Sequence, residues 1–311
     1  MIYKDSGDAN FITYHYTRDA QGNPIEIKET GTLEPVLNLP LKEDYTYDGD
    51  NRLTETTKPA TYSYDNNGNM TSRVSGGITT TFTYDFDNRL ISQTTDGSTV
   101  EHIYDGQGNR IARDDNGAVT RYALDRGRSM SHILCAIDSS GDIIAYYIHG
   151  PRILARIGTD GSQRYYHTDH IGSVVALTDE AETITDRYAY TPFGVPAGRE
   201  GSTPNPFTYV GGLGVMAEPD GLYFVRARFY KYWSGRFLSK DSVPGRLMNA
   251  QTLNAYLYCV NNPLVNVDPH GTVPVWVAAY LPYIVVPYAC LLYTSDAADE
   301  GLGVDLGGRR I

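Results

Sequence analysis

Cysteine is nearly absent: three in 311 residues, at Cys135, Cys259 and Cys290, widely spaced and without a CxxC pair. That excludes a disulfide framework and a zinc knuckle as organising devices. Methionine (5) and tryptophan (2) are also scarce, and the 8 phenylalanines are outnumbered by 26 tyrosines. The Ala/Leu/Glu/Lys richness of a helical bundle is missing, while the aromatic content is too high for a disordered chain. Basic residues fall short of acidic ones, 26 against 37, for a net charge of −11. A general nucleic-acid binder needs a cationic surface to displace counterions, so nucleic acid is not an expected partner. Met1 opens onto the polar stretch IYKDSGDAN, with no signal-peptide apolar core. Either export does not use that route or the true N-terminus lies upstream. What the chain has instead is Tyr and Gly, the latter 31 times. That balance predicts an all-β protein of short strands and tight turns, with Tyr covering half-buried faces.

The tyrosines are ordered. Four segments read TYDGDNRLTE, SYDNNGNMTS, TYDFDNRLIS and IYDGQGNRIA, with Tyr-Asp pairs beginning at Tyr47, Tyr64, Tyr84 and Tyr104. The steps are 17, 20 and 20 residues. A looser copy, YTRDAQGNPIEI, begins at Tyr16, and a degenerate RYALDRG follows at Arg121. Rings sit two apart before each pair (Tyr45/Tyr47, Tyr62/Tyr64, Phe82/Tyr84, His102/Tyr104), which is strand period and puts both on one face. The Asp begins a turn by accepting a backbone N–H two residues on, and Asn or Gly then tolerates positive φ. Each unit is thus a β-hairpin that must stack on its neighbours to bury its face.

These repeats resemble the YD (tyrosine–aspartate) repeats of the Rhs family. The stretch from Tyr165 is more similar still, to the Rhs repeat-associated core domain. It carries His167-Thr168-Asp169-His170-Ile171-Gly172-Ser173, Arg226-Ala227-Arg228-Phe229-Tyr230, Gly235-Arg236-Phe237-Leu238-Ser239, Asn261-Asn262-Pro263-Leu264 and Asp268-Pro269-His270-Gly271, in family order. The resemblance covers about residues 40–272. It implies stacked hairpins forming part of a spiralling β-shell that encloses a C-terminal toxic polypeptide, with the core domain closing one end. The implied layout is a partial or degenerate repeat at 1–40, repeats at 41–164, the core domain at 165–272, and a truncated variable segment at 273–289. Residues 290–311, CLLYTSDAADEGLGVDLGGRRI, are similar to the conceptual translation of a transposase-based sequencing adapter and are expected to be a library artefact. The uncharged run 273–289, extended to 293 by that tail, reaches transmembrane length. Pro274, Pro282 and Pro287 interrupt it, so a hydrophobic start to the variable region, threaded inside the shell, is the expectation.

The resemblance also implies a chemistry. Aspartates at the positions of Asp241 and Asp268 form an aspartic-protease-like pair in the family, cutting the chain shortly after Asp-Pro-x-Gly-Leu. Two carboxyls about 3 Å apart share a proton, so that one activates water while the other protonates the scissile carbonyl. Here Ser242 follows Asp241 where many members have Pro, and Thr272 replaces the Leu, which bears on cleavage more than on the pair. Against this stands a turn at 268–271 with Asp241 as a cap. Arg236 is a lesser candidate to orient or charge-stabilise the pair. The His167–His170 ligand types lack the further His or Cys that would complete a metal site. The glycines 211, 212 and 214 lack a phosphate loop's Lys-Ser/Thr, and no GxSxG marks a serine hydrolase. No cofactor is expected. The expected role is packaging and release of the chain's own C-terminal toxin, with at most a single-turnover cut of itself. Secretion-machinery proteins and an immunity protein are its implied partners, and its location is secreted or cell-surface-associated in bacteria. The alternative is a surface or cell-wall adhesion module whose Tyr ladders stack on glycans, without cleavage.

Overall fold

The computed structural model describes residues 2–4, 10–18, 24–31, 45–56, 60–127, 130–245, 247–248, 250–272 and 274–276. The fold is all-β. Sixteen antiparallel strands, from Tyr45–Tyr47 to Pro196–Glu200, follow one another in chain order through a single meandering sheet. Three N-terminal strands, Ile2–Lys4, Asn10–Arg18 and Pro24–Gly31, pair separately. The strand Gln163–Thr168 runs across the expected repeat–core boundary at 164/165, and the sheet continues without a break.

Each hairpin is built around its aspartate. Asp65 Oδ1 accepts the backbone N–H of Asn67 (2.9 Å) and Asn69 (2.8 Å). Asp48, Asp85 and Asp105 bond the residues two and four ahead in the same way. The residue before the Asp sits in a register shift, as at Tyr64 and Tyr84, where an extra residue sharpens strand twist. Three residues after the Asp the backbone turns left-handed, at Asn51 (φ 63°), Gly68 (87°), Asn88 (61°) and Gly108 (84°). Asp85 also holds Arg89 Nε at 2.7 Å, so Asp85→Ala removes three hydrogen bonds and is expected to cost about 1–2 kcal/mol in urea denaturation.

From the second pair onward the rings face inward, as their spacing predicts, while Tyr47 of the first is exposed. In Ile78–Tyr84 the buried positions are Thr80 and Phe82, alternating with exposed neighbours. Two of the tyrosine hydroxyls reach back across the sheet: Tyr64 Oη donates to Leu53 O (3.1 Å) and Tyr104 Oη to Leu90 O (2.8 Å). Phenylalanine cannot make that bond, which favours Tyr at these two positions; at Tyr84 the hydroxyl is buried without a hydrogen-bond partner.

Against this inward face packs a four-stranded sheet: Met216–Glu218, Leu222–Val225, Arg228–Lys231 and Arg236–Phe237. Leu222, Phe224 and Phe229 meet Met70, Phe82 and Leu90 of the hairpins. The other side of the small sheet, with Tyr223, Val225, Tyr230 and Phe237, meets Tyr209, Tyr258 and Val267. Burial on both sides explains why LYFV is apolar without alternation and why RFYK sets two core rings side by side between its terminal Arg228 and Lys231. Among the described residues no helix is long and apolar enough to cross a membrane. Of the expected hydrophobic segment, Val275–Trp276 pairs with Asn266–Val267; residues from 277 onward, including the suspected adapter tail, lie outside the described residues.

Candidate functional site

The site forms where the turn between Leu222–Val225 and Arg228–Lys231 meets the loop at 268–272. Three consecutive groups of the turn hold three consecutive carbonyls of the loop. Arg226 Nη1 donates to Pro269 O (2.5 Å), Ala227 N to His270 O (3.2 Å), and Arg228 Nε to Gly271 O. Gly271 is required there: its φ is 74°, and a Cβ would lie 2.2 Å from Val225 O.

Asp268 is 1 % exposed and sits inside its own loop, with Oδ1 accepting Gly271 N (2.9 Å) and Thr272 N (3.1 Å). Asp241 follows the strand Arg236–Phe237, and its N–H bonds Ala255 O (3.0 Å) while its Oδ1 accepts Val243 N (2.8 Å). Both carboxyls meet the guanidinium of Arg228. Nη2 lies 2.6 Å from Asp241 Oδ2 and 3.8 Å from Asp268 Oδ2, so the two oxygens are separated by no more than the sum of these distances, 6.4 Å. Arg228 is fixed in turn, its Nη1 donating to Ala255 O (2.9 Å) and its plane stacking 3.7 Å from the Phe237 ring centre.

The electrostatics separate the two acids. Burial pushes the Asp268 carboxyl up to about 6, offset partly by Arg228 and by its two backbone donors. Its Oδ2 is buried without a hydrogen-bond partner, a position that suits a proton. Asp241 is also raised by burial, but Arg228 is its direct hydrogen-bond partner and favours the ionised form. The arrangement therefore sets two carboxyls against the same guanidinium nitrogen, the buried Asp268 held toward its protonated form and Asp241 bonded directly to the cation, beside the peptide at Gly271–Thr272.

The family profile Teneurin YD-shell matches residues 4–264, most of the chain. The chain belongs to the Rhs/YD-repeat family. This YD-shell chain is 31 % identical over 240 residues to the tRNA nuclease WapA of Bacillus subtilis (strain 168), covering 74 % of this chain and 8 % of that protein. It is 32 % identical over 114 residues to the toxin subunit YenC1 of Yersinia entomophaga, 36 % of this chain and 11 % of the subunit. A solved structure of the Photorhabdus luminescens Tc holotoxin pore shares its fold, with TM-score 0.58 and 17 % identity over 87 % of this chain and 17 % of that one. The YD-shell chain thus spans a small part of each relative's length.

Within the YD shell, the two predicted aspartates come together, yet no hydrogen bond joins their carboxyls; they meet through Arg228. Arg236 does not take part as expected. Its Nη1 donates to Asn261 Oδ1 and Gly235 O (each 2.9 Å), and its guanidinium lies over Tyr47. The residue missed in the sequence is Arg228. It stood in view in Arg226-Ala227-Arg228-Phe229-Tyr230, and a charged residue leading straight into two core aromatics was the signal. The Asp169 carboxylate accepts Ser173 N (2.7 Å), and Arg152 bonds Thr168 Oγ1 and the carbonyls of Asp169 and His170. The His-Thr-Asp-His motif thus builds another Asp turn.

Proposed function

We propose that this chain is the closing end of a toxin-carrying shell that cuts its own backbone beside Thr272 to free a C-terminal toxin. Asp241 and Asp268 bound to one buried arginine, with the 268–272 loop wrapped around the second aspartate, are the observation that carries this reading. In the cut, the Asp241 carboxylate takes a proton from water as its oxygen attacks the carbonyl carbon, while Asp268 donates its proton to the carbonyl oxygen. On collapse the C–N bond breaks, the amine leaves with the proton from Asp241, and Asp268 recovers its own from the intermediate hydroxyl. Arg228 positions both acids and keeps Asp241 ionised. The reaction is hydrolysis, single-turnover, and needs no cofactor. The relatives named as toxins support the cargo, export to the cell surface or medium, and association with other toxin components. The proposed layout keeps 41–164 as repeats and 165–272 as the core domain.

The test is the chain expressed with its natural C-terminal continuation and resolved on a denaturing gel. Two fragments are expected from the native sequence and one full-length band from Asp241→Asn and from Asp268→Asn. A single uncut band from all three overturns self-cleavage.

A further inference from the structure

A second constellation lies away from the two aspartates, between the first hairpins and the small sheet. A cavity of about 150 Å³ is walled by Tyr62, Met70, Phe82 and Trp233, with Arg73 and Lys231 set among them. Lys231 is only 8 % exposed, and its Nζ donates to the neutral carbonyl of Asp220. The Asp220 carboxylate is turned elsewhere, accepting Gln93 Nε2 and Thr95 Oγ1 at 2.6 Å each. Among the described residues, neither Arg73 nor Lys231 has a carboxylate within ion-pairing distance. Burial, reinforced by Arg73, lowers the Lys231 ammonium to about 8, which still leaves it charged at neutral pH. Two cations face one cavity, one of them withdrawn from water, and a buried charge ordinarily has a partner.

We propose that this cavity binds a carboxylate carried on an aromatic or short apolar stem. The walls set the stem: Tyr62, Met70, Phe82 and Trp233, with Thr56, Ser75 and Ser234 also lining it, bound a volume of the size that accommodates a benzene-sized ring. Arg73 and Lys231 set the head, the guanidinium offering paired donors and the ammonium a point charge. Inorganic phosphate would satisfy the cations but leave the aromatic walls uncovered, so a carboxylate with a stem fits better. The same chemistry is presented by a free aryl acid and by an acidic side chain of a polypeptide.

The probes are phenylacetate, its neutral isostere phenylacetamide, and an acetylated, amidated Phe-Glu dipeptide, each titrated calorimetrically into the full chain. Trp233, still 44 % exposed, gives a second readout through quenching of its fluorescence. Saturable binding of phenylacetate or of the dipeptide is expected, at least tenfold tighter than phenylacetamide, and weakened at least tenfold by Arg73→Gln and by Lys231→Met. Binding of phenylacetate alone assigns the site to free acids; displacement of phenylacetate by the dipeptide assigns it to an acidic side chain. Equal affinity for acid and amide, or saturation by neither carboxylate, overturns the proposal. Arg73 is only half-buried, so Arg73→Gln keeps the test decisive if Lys231→Met fails to fold.

Discussion

Glu218→Gln is expected to destabilise the folded chain by about 3–5 kcal/mol, because it strands a buried guanidinium. Glu218 stands at the end of Met216–Glu218 in the small sheet, its side chain 2 % exposed. Its Oε1 lies 2.5 Å from Arg110 Nη1, whose side chain is 1 % exposed, and its Oε2 lies 2.9 Å from Arg113 Nε. Both arginines belong to the hairpin strand Arg110–Asp115, so the contact joins the meander to the small sheet. The other neighbours of Arg110 carry no negative charge: the neutral His102 Nδ1 at 3.3 Å, Met216 Sδ at 3.0 Å and the face of Phe224 at 3.9 Å. His102 beside it is pushed down to about 2, by burial first and then by Arg110 and Arg113, and so stays neutral. Glutamine keeps the shape and one acceptor but not the charge, leaving two arginines to repel one another. Urea unfolding of the purified chain reads the loss directly. The double variant Arg110→Met, Glu218→Leu is expected to recover much of it, since removing a buried pair costs less than breaking it. A cost below about 1 kcal/mol for Glu218→Gln would mean that Arg110 has a counter-charge other than Glu218.

Much of the meander is legible in the sequence because its unit is local. The Asp carboxylate and the left-handed residue three places later define the turn, and both are named by the letters Asp-x-x-Gly or Asp-x-x-Asn. The same geometry recurs at Asp138, Asp169 and Asp179, with Gly141 (φ 93°), Gly172 (94°) and Glu182 (62°) in the left-handed position. No Tyr precedes these three aspartates. The ring serves packing, whereas the carboxylate makes the turn, so the Tyr-Asp search undercounts hairpins. The site was less legible. Asp241 and Asp268 came from a resemblance, since no periodicity links two loops so far apart. Arg236 is nearer to Asp241 in sequence than Arg228 is, yet strand alternation turns it away from Phe237, on whose ring Arg228 lies. Arg228 reaches the pair only because Leu238 N bonds Phe229 O across the small sheet, a tertiary pairing that sequence spacing does not announce.

Self-cleavage is expected to weaken about tenfold per pH unit above roughly pH 6, where the Asp268 proton is lost. Burial is the cause: the carboxyl stands at about 6 against an ordinary 3.8. The folded chain therefore keeps a proton that the unfolded chain releases, and between these values the folded state binds more. Stability must then fall as pH rises through that window, by about 3 kcal/mol at 1.36 kcal/mol per unit. Asp268→Asn is neutral at every pH and retains an oxygen for Gly271 N and Thr272 N. It is expected to remove that slope, unfolding at higher urea than the native chain above pH 7 while leaving the backbone uncut. The aspartate would then lower stability at neutral pH for the sake of its acidity, as a catalytic group does and a turn former does not. Asp241 is raised as well and adds slope of the same sign, so the comparison at each pH is between the native chain and Asp268→Asn. Urea midpoints from pH 4 to 8 for both proteins, with the gel read in parallel, check the two halves together. Parallel stability curves would show that Asp268 is ionised in the fold and make 268–271 a turn alone.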